Sequence, residues 1–231
     1  MNIVDIVLII IILFFGVLGF KRGVVKSLVQ LVGTICITVI AYLLKDYLAK
    51  FLMGFMPFFN FTGIYAGITA MNVLIYEMLS FVVIFVILDC GLNILLSLSG
   101  FVEKILKFTI VLAIPSKIMG ALLGLIEGLI FAFVLSFVAL HLPQTEKYVM
   151  DSKLSIVILE RTPFVGNTMK STTLALQDIQ KILKDVKKGD NKNAINAEVV
   201  QELIRYNIVP RETIHDLIKK KKIDLGNIEI Y

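Results

Sequence analysis

Ser116-Lys117-Ile118-Met119-Gly120-Ala121-Leu122-Leu123-Gly124-Leu125-Ile126-Glu127-Gly128-Leu129-Ile130-Phe131-Ala132-Phe133-Val134-Leu135-Ser136 has a small residue at every fourth place: Ser116, Gly120, Gly124, Gly128, Ala132 and Ser136. On an α-helix these positions draw one nearly straight groove down a single face. In lipid, where apolar surface gives helices no drive to associate, such a groove lets a second backbone approach closely. The apolar part, Ile118–Leu140, is closed by His141-Leu142-Pro143 and has the length a bilayer crossing needs, about 20 residues. It is expected to be the central packing element of a bundle or the seam of a homo- or hetero-oligomer. The competing reading is that glycines are common in membrane helices. Gly19 and Gly23 repeat the spacing once.

Working outward, three more runs reach that length: Ile3–Phe20, Val24–Leu44 and about Met71–Leu98. The whole chain of 231 residues is 58% hydrophobic, against roughly 45–50% in soluble domains, and the excess stops at Pro143. An all-α integral membrane protein with four spans over residues 1–143 and a helical, mixed-charge extramembrane tail over 144–231 is predicted. Only Lys21, Arg22 and Gly23 separate the first two runs, so these must form a tight hairpin. The first run has Asn2 and Asp5 at its start instead of a basic region, and is read as a retained span. Asp5 there complements a helix N-terminus. In the second connection, Lys45–Ala70, the aromatic cluster around Pro57 suits the headgroup level. In the third, the short run Phe108–Ile114, broken by Pro115-Ser116-Lys117, suits a re-entrant or interfacial half-helix.

Lys21, Arg22 and Lys26 at the first connection and Lys104, Lys107 and Lys117 at the third outnumber Lys45 and Lys50 at the second. Short cytoplasmic loops hold the Lys/Arg excess. Both termini are therefore expected outside the cytoplasm, with the tail crossing despite the bases it holds, since long segments translocate largely regardless of charge.

Polar residues within the spans require a partner or water. Glu127 lies beside the glycine groove near the middle of the fourth span, where a carboxylate costs at least ~2.5–3.5 kcal/mol on insertion scales. Asp89 and Asn93 share a face of the third span, and Glu77 sits near its start. Lys26, Gln30, Thr34 and Thr38 form a polar stripe on the second. One reading is a lined cavity with Lys26 or Lys117 as counter-charge. In the other, Glu77 and Lys26 sit at the interface, Asp89 and Asn93 bond across helices, and only Glu127 is deep.

In the tail, Leu174, Ile179, Ile182, Leu183 and Val186 recur at helix spacing up to Lys187-Lys188-Gly189. Asn191–Asn193 reads as a linker. Asn196 is placed to cap a helix carrying Val199, Leu203 and Ile204, and Pro210 leads into another carrying Ile214, Leu217 and Ile218. The closing run Lys219–Lys222 reads as a solvated helix end favoured by the dipole, or as a contact to anionic lipid or polymer. The net charge of +5 is divided between loops and tail, which argues against nucleic-acid binding. Cys36 and Cys90 lie in apolar runs, and His141 and His215 stand alone, so no disulfide framework, metal site or cofactor is called for. No phosphate loop, nucleophile elbow or His-Glu-x-x-His motif is present, and no enzyme is expected.

Gly19-Phe20-Lys21-Arg22-Gly23, followed by Lys26-Ser27-Leu28, resembles the Gly-Phe-x-Arg-Gly turn of the colicin V production protein (CvpA) family of bacterial inner-membrane proteins. The four-span layout is similar, and Met119-Gly120, Gly124 and Gly128 match that family's fourth-span glycine pattern. The resemblance covers about Met1 to Leu142. Two departures stand out: Ser116-Lys117 replaces a frequent Asp-Arg, and Glu127 replaces a frequent Arg, so that arginine's role does not transfer. The inserted Phe108–Ile114 run is a third departure. In some relatives a similar domain precedes a serine protease outside the cytoplasm, though no protease is visible here. The resemblance implies an inner-membrane accessory or scaffold protein connected with toxin production or export and envelope maintenance. The alternative is a small transporter or channel subunit using Glu127 and Asp89. The implied partners are the lipid bilayer and a protein the sequence does not name.

Overall fold

The computed structural model describes residues 2–98, 113–142, 145–162, 170–187 and 189–226. Helix α1 (Ile3–Arg22) turns at Gly23 into α2 (Val24–Phe55), and a connection with one 3-10 turn leads to α3 (Met71–Leu98). Then come α4 (Ala113–Leu140) and, among the described residues, five shorter helices: α5 (Glu146–Met150), α6 (Lys153–Arg161), α7 (Lys170–Lys184), α8 (Lys192–Arg205) and α9 (Arg211–Lys219). The first four are each long and apolar enough to cross a membrane. Glu103, Lys104, Lys107, residues 108–112 of the expected half-helix, Pro143 and Lys188 lie outside the described residues.

Two boundaries differ from expectation. The second span does not end at Leu44: α2 continues through Lys45, Asp46 and Lys50 to Phe55. Those charges end the apolar run without ending the helix, because Lys is a good helix former and Lys45 has a partner inside the fold. The helix stops where Pro57 disfavours helical backbone at Met56 (φ -85, ψ 150). At 32 residues α2 is about 48 Å long, so its last turns project beyond a hydrocarbon layer of about 30 Å. The fourth span, in turn, begins at Ala113 and not near Ile118. Pro115 lies within α4, near the start of its described part. The described chain is thus helical through Pro115-Ser116-Lys117, where a break is expected from the sequence, with Ala113 and Ile114 belonging to α4.

The glycine groove holds α1. The two helices cross antiparallel with backbone against backbone: a Cβ on Gly19 would lie 2.2 Å from the carbonyl oxygen of Gly120, and one on Gly124 would lie 2.3 Å from that of Phe15. Gly128 meets Ile12 in the same way at 2.8 Å. At the lower end the turn is locked by Ser116, whose Oγ accepts from Val24 N at 3.2 Å and so satisfies one open donor of α2. Gly23 has φ 76, a value that side-chain-bearing residues rarely adopt. Aromatic contacts fill the wider space between α3 and α4, with Phe81 edge-on to Phe137 and Phe85 edge-on to Phe131.

The tail closes one end of the bundle. Asp5 accepts from Asn2 N at 2.8 Å, as a cap. Its other oxygen takes Ser152 Oγ and Leu154 N, which docks the start of α6. Asn196 is not a cap: Asn191 caps α8, accepting from Asn193 N, so the expected linker at Asn191–Asn193 is the helix start. Asn196 is instead fully buried, accepting from Ala70 N at 3.1 Å and donating to the carbonyls of Gly67 and Asp224. Nor is the whole basic run solvated. Lys222 folds back to donate to the carbonyls of Met53, Gly54 and Met56 at the end of α2, with Phe58 beside its ammonium group. The aromatic connection likewise packs partly inward: Tyr76 donates to Pro57 O at 2.6 Å, and Asn72 bonds both backbone groups of Phe59.

Replacing Gly124 by Ala is expected to destabilise the purified protein by about 1–3 kcal/mol through forced separation of two backbones. Gly91→Ala, where a Cβ would meet nothing within 4 Å, should be neutral or stabilising by up to about 1 kcal/mol. Thermal unfolding of both variants in one detergent checks the pair, and equal losses would show that the close crossing is not the cause.

Candidate functional site

Two sets of charges lie inside the spans, at different depths. Counting 1.5 Å per residue up from Gly23, Glu127 stands about 15 Å above the turn, since Gly128 faces Ile12. Asp89 stands at about 15–20 Å, since Leu92 touches Gly33 and Glu77 pairs with Lys45. Both are near the middle of a layer about 30 Å thick. The Lys45–Glu77 pair, by the same count, stands about 33 Å up, at the far boundary.

Glu127 is 1% exposed, and its carboxylate accepts from Arg22 Nη1 at 3.0 and 3.3 Å. The counter-charge is thus neither Lys26 nor Lys117. Arg22 belongs to the turn motif at the end of α1 and sends its long side chain inward along the bundle, where a guanidinium's fixed fork suits a carboxylate. Lys117 stands over the ring of Phe20 at 5.8 Å, and Lys26 is half-buried. Asp89 is as deep as Glu127, contrary to the reading in which Glu127 alone is deep. It does not bond across helices with Asn93: the carboxamide of Asn93 donates back to Asp89 O at 2.9 Å and Oδ2 at 3.1 Å within α3. Asp89 Oδ1 is buried with no hydrogen-bond partner.

At the upper level, Lys45 Nζ donates to Glu77 and Asp46, each at 2.5 Å. Glu77 is at the boundary, as one reading expects, but buried in this pair and not facing water. Along α2 the second-span stripe is partly as expected. Gln30, Thr34 and Thr38 are buried, and Thr38 bonds back to Thr34 O. Ser27, not Lys26, continues it downward, donating to Gly19 O at 3.2 Å. Of the remaining small-residue positions, Ala132 and Ser136 are buried on α4. Just above that helix His141 is enclosed, and burial pushes its imidazole down to about 4 despite a contact of Nδ1 with Phe137 O. Sequence reasoning missed Arg22, Lys45, Asn196 and Lys222 as interior partners. For Arg22 and Lys45 the one visible signal was a base beside an apolar run.

Four crossing helices with internally paired charges, and an end closed by amphipathic helices, define a polytopic α-helical membrane protein. The chain belongs to the colicin V production protein family, whose model matches residues 4–163. The match continues past Leu142, where the resemblance in the sequence ends, and takes in α5 and α6, both of which pack on α1 and α4. No curated protein and no solved structure matches the chain.

Removing one member of the deep pair should be worse than removing both. Arg22→Met alone strands a buried carboxylate and is expected to cost about 3–5 kcal/mol, whereas Arg22→Met with Glu127→Leu should recover most of it. Unfolding of the three proteins in the same micelles measures the difference. A double variant no better than the single one would show that the pair is not what holds Glu127.

Proposed function

We propose that this membrane protein of the colicin V production family acts as an accessory or scaffold protein of the bacterial inner membrane. In this reading it supports toxin production or export and envelope maintenance without catalytic chemistry, as the family resemblance implies. The observation that carries it is the internal use of charge. Glu127 is held by Arg22, and Glu77 by Lys45, in contacts that leave both carboxylates almost fully enclosed. Such pairs favour one fixed arrangement of helices over a water-lined path. In this reading the glycine face of α4 is occupied within the chain, so a partner protein meets the protein on its other faces or on the cap.

A second reading, a small transporter or channel subunit, is favoured by Asp89, whose unpartnered oxygen lies near mid-membrane. Proton and cation flux into vesicles reconstituted with the full chain separates the two. The scaffold reading expects flux equal to that of protein-free vesicles, unchanged by Asp89→Asn. A flux that this substitution abolishes would replace it with the transporter reading.

The charge balance of the loops supports a cap outside the cytoplasm, since Lys21, Arg22, Lys26 and Lys117 all lie at the opposite end of the bundle. With Cys36 and Cys90 replaced, a cysteine put in place of exposed Gln201 on α8 should react with a membrane-impermeant thiol reagent in intact cells. Protection until the cells are opened would place the cap in the cytoplasm.

A further inference from the structure

Two apolar crevices follow one another along a single face of α1. The upper, about 480 Å³, lies between the start of α1, the end of α4 and α5, and the lower, about 560 Å³, between α1 and α3 over α4. Leu135 lines both. On α1 the lining residues recur as Ile3, Val7, Ile10 and Phe14, the spacing of one helix face. The path therefore runs from Ile3 down to Phe15, about 18 Å at 1.5 Å per residue. It is floored at mid-membrane by the stacked rings of Phe15 and Phe131, 4.3 Å apart.

The geometry points to a seat for one acyl chain of a phospholipid drawn from the leaflet on the cap side. Three observations select that occupant. The path starts at the cap-side boundary and ends near the midplane, matching a leaflet's depth of about 15 Å, half the hydrocarbon layer. A transmembrane helix, about 10–12 Å across, would continue through both leaflets and would not end at a floor. Third, the upper crevice is lined by Ser136, a residue 1% exposed whose Oγ has no hydrogen-bond partner, with Thr145 and Tyr148 beside it at the mouth. Since Gly128 faces Ile12, Ser136 lies about 28 Å above the Gly23 turn, where the ester groups of a lipid begin. The chain supplies a polar group there, and a glycerol ester is the bilayer component able to meet it. This inference is independent of whether the protein is a scaffold or a transporter.

The full chain would be reconstituted in vesicles of phosphatidylethanolamine and phosphatidylglycerol containing phosphatidylglycerol with a diazirine in its acyl chain, photolysed, and its adducts mapped by peptide mass spectrometry. Adducts should be several-fold enriched at Ile10, Val86 and Leu135 over Val32, Ile40 and Leu43, which are comparably exposed on α2. Leu135→Trp and, independently, Val86→Trp fill the path from half-exposed positions that tolerate bulk. Each should lower the crevice adducts several-fold and leave those on α2 unchanged. Adducts spread evenly over all lipid-facing positions, or unaffected by either tryptophan, would overturn the seat in favour of ordinary lipid contact. Disulfide-linked dimers through Leu135→Cys, made with Cys36 and Cys90 replaced, would overturn it in favour of a second copy of the chain.

Discussion

Between Gly19 and Gly124 two helix backbones pass with no side chain separating them, and the rest of the bundle is arranged by that approach. In lipid, burying apolar surface between helices gains little over leaving it against acyl chains, so close van der Waals contact has to supply the attraction. A Cβ at any of Gly19, Gly120, Gly124 or Gly128 would fall within 3 Å of the facing backbone. The crossing brings Gly23 over Ser116, whose hydroxyl caps α2. It also points the end of α1 so that Arg22 reaches Glu127.

The cap follows from a different constraint, the open hydrogen-bonding groups at helix ends. It is tied to the start of α1 through Asp5 and Ser152 and to α2 through Tyr42 and Thr172. The α2–α3 connection is held through Asn196, and the final carbonyls of α2 through Lys222. Those carbonyls carry the negative end of a helix dipole, so a lysine ammonium suits them in both charge and donor count. Partial enclosure and neighbouring Lys220 hold the Lys222 ammonium below its ordinary range. The amphipathic faces of α7 and α9, with Leu176, Ile179, Leu183, Ile214 and Leu217 buried, are thereby used within the fold.

The four spans were legible because the bilayer sets their length, and α3 starts at Met71 as expected. The small residues from Ser116 to Ser136 announced a close backbone approach, but spacing alone names no partner. That α1 occupies the groove depends on the three-dimensional turn at Gly23. Hydropathy ended α2 too early because Lys45 and Asp46 look like a loop until Glu77 is seen beside them. Arg22 counted only as a base of the first connection because a linear reading does not show whether a long side chain snorkels outward or inward. Asn196 and Lys222 make contacts across more than a hundred residues, and no local pattern distinguishes them from surface polar groups.

A repeated groove also carries an ambiguity that the charges resolve. Gly120, Gly124 and Gly128 offer nearly equivalent seats, so α1 sliding by one four-residue step, about 6 Å, would find another small-residue contact. The Arg22–Glu127 pair does not repeat. A slide that carries Arg22 away from Glu127 by that distance would part its atoms from 3.0 Å to well beyond hydrogen-bond reach and strand a carboxylate near mid-membrane. Replacing a buried ion pair with apolar groups is often neutral or stabilising, while breaking it costs several kcal/mol. The pair is therefore best understood as acting against wrong registers more than as adding stability to the right one. The glycines bring the helices together, and the charge pair acts against the alignments that would draw Arg22 away from Glu127.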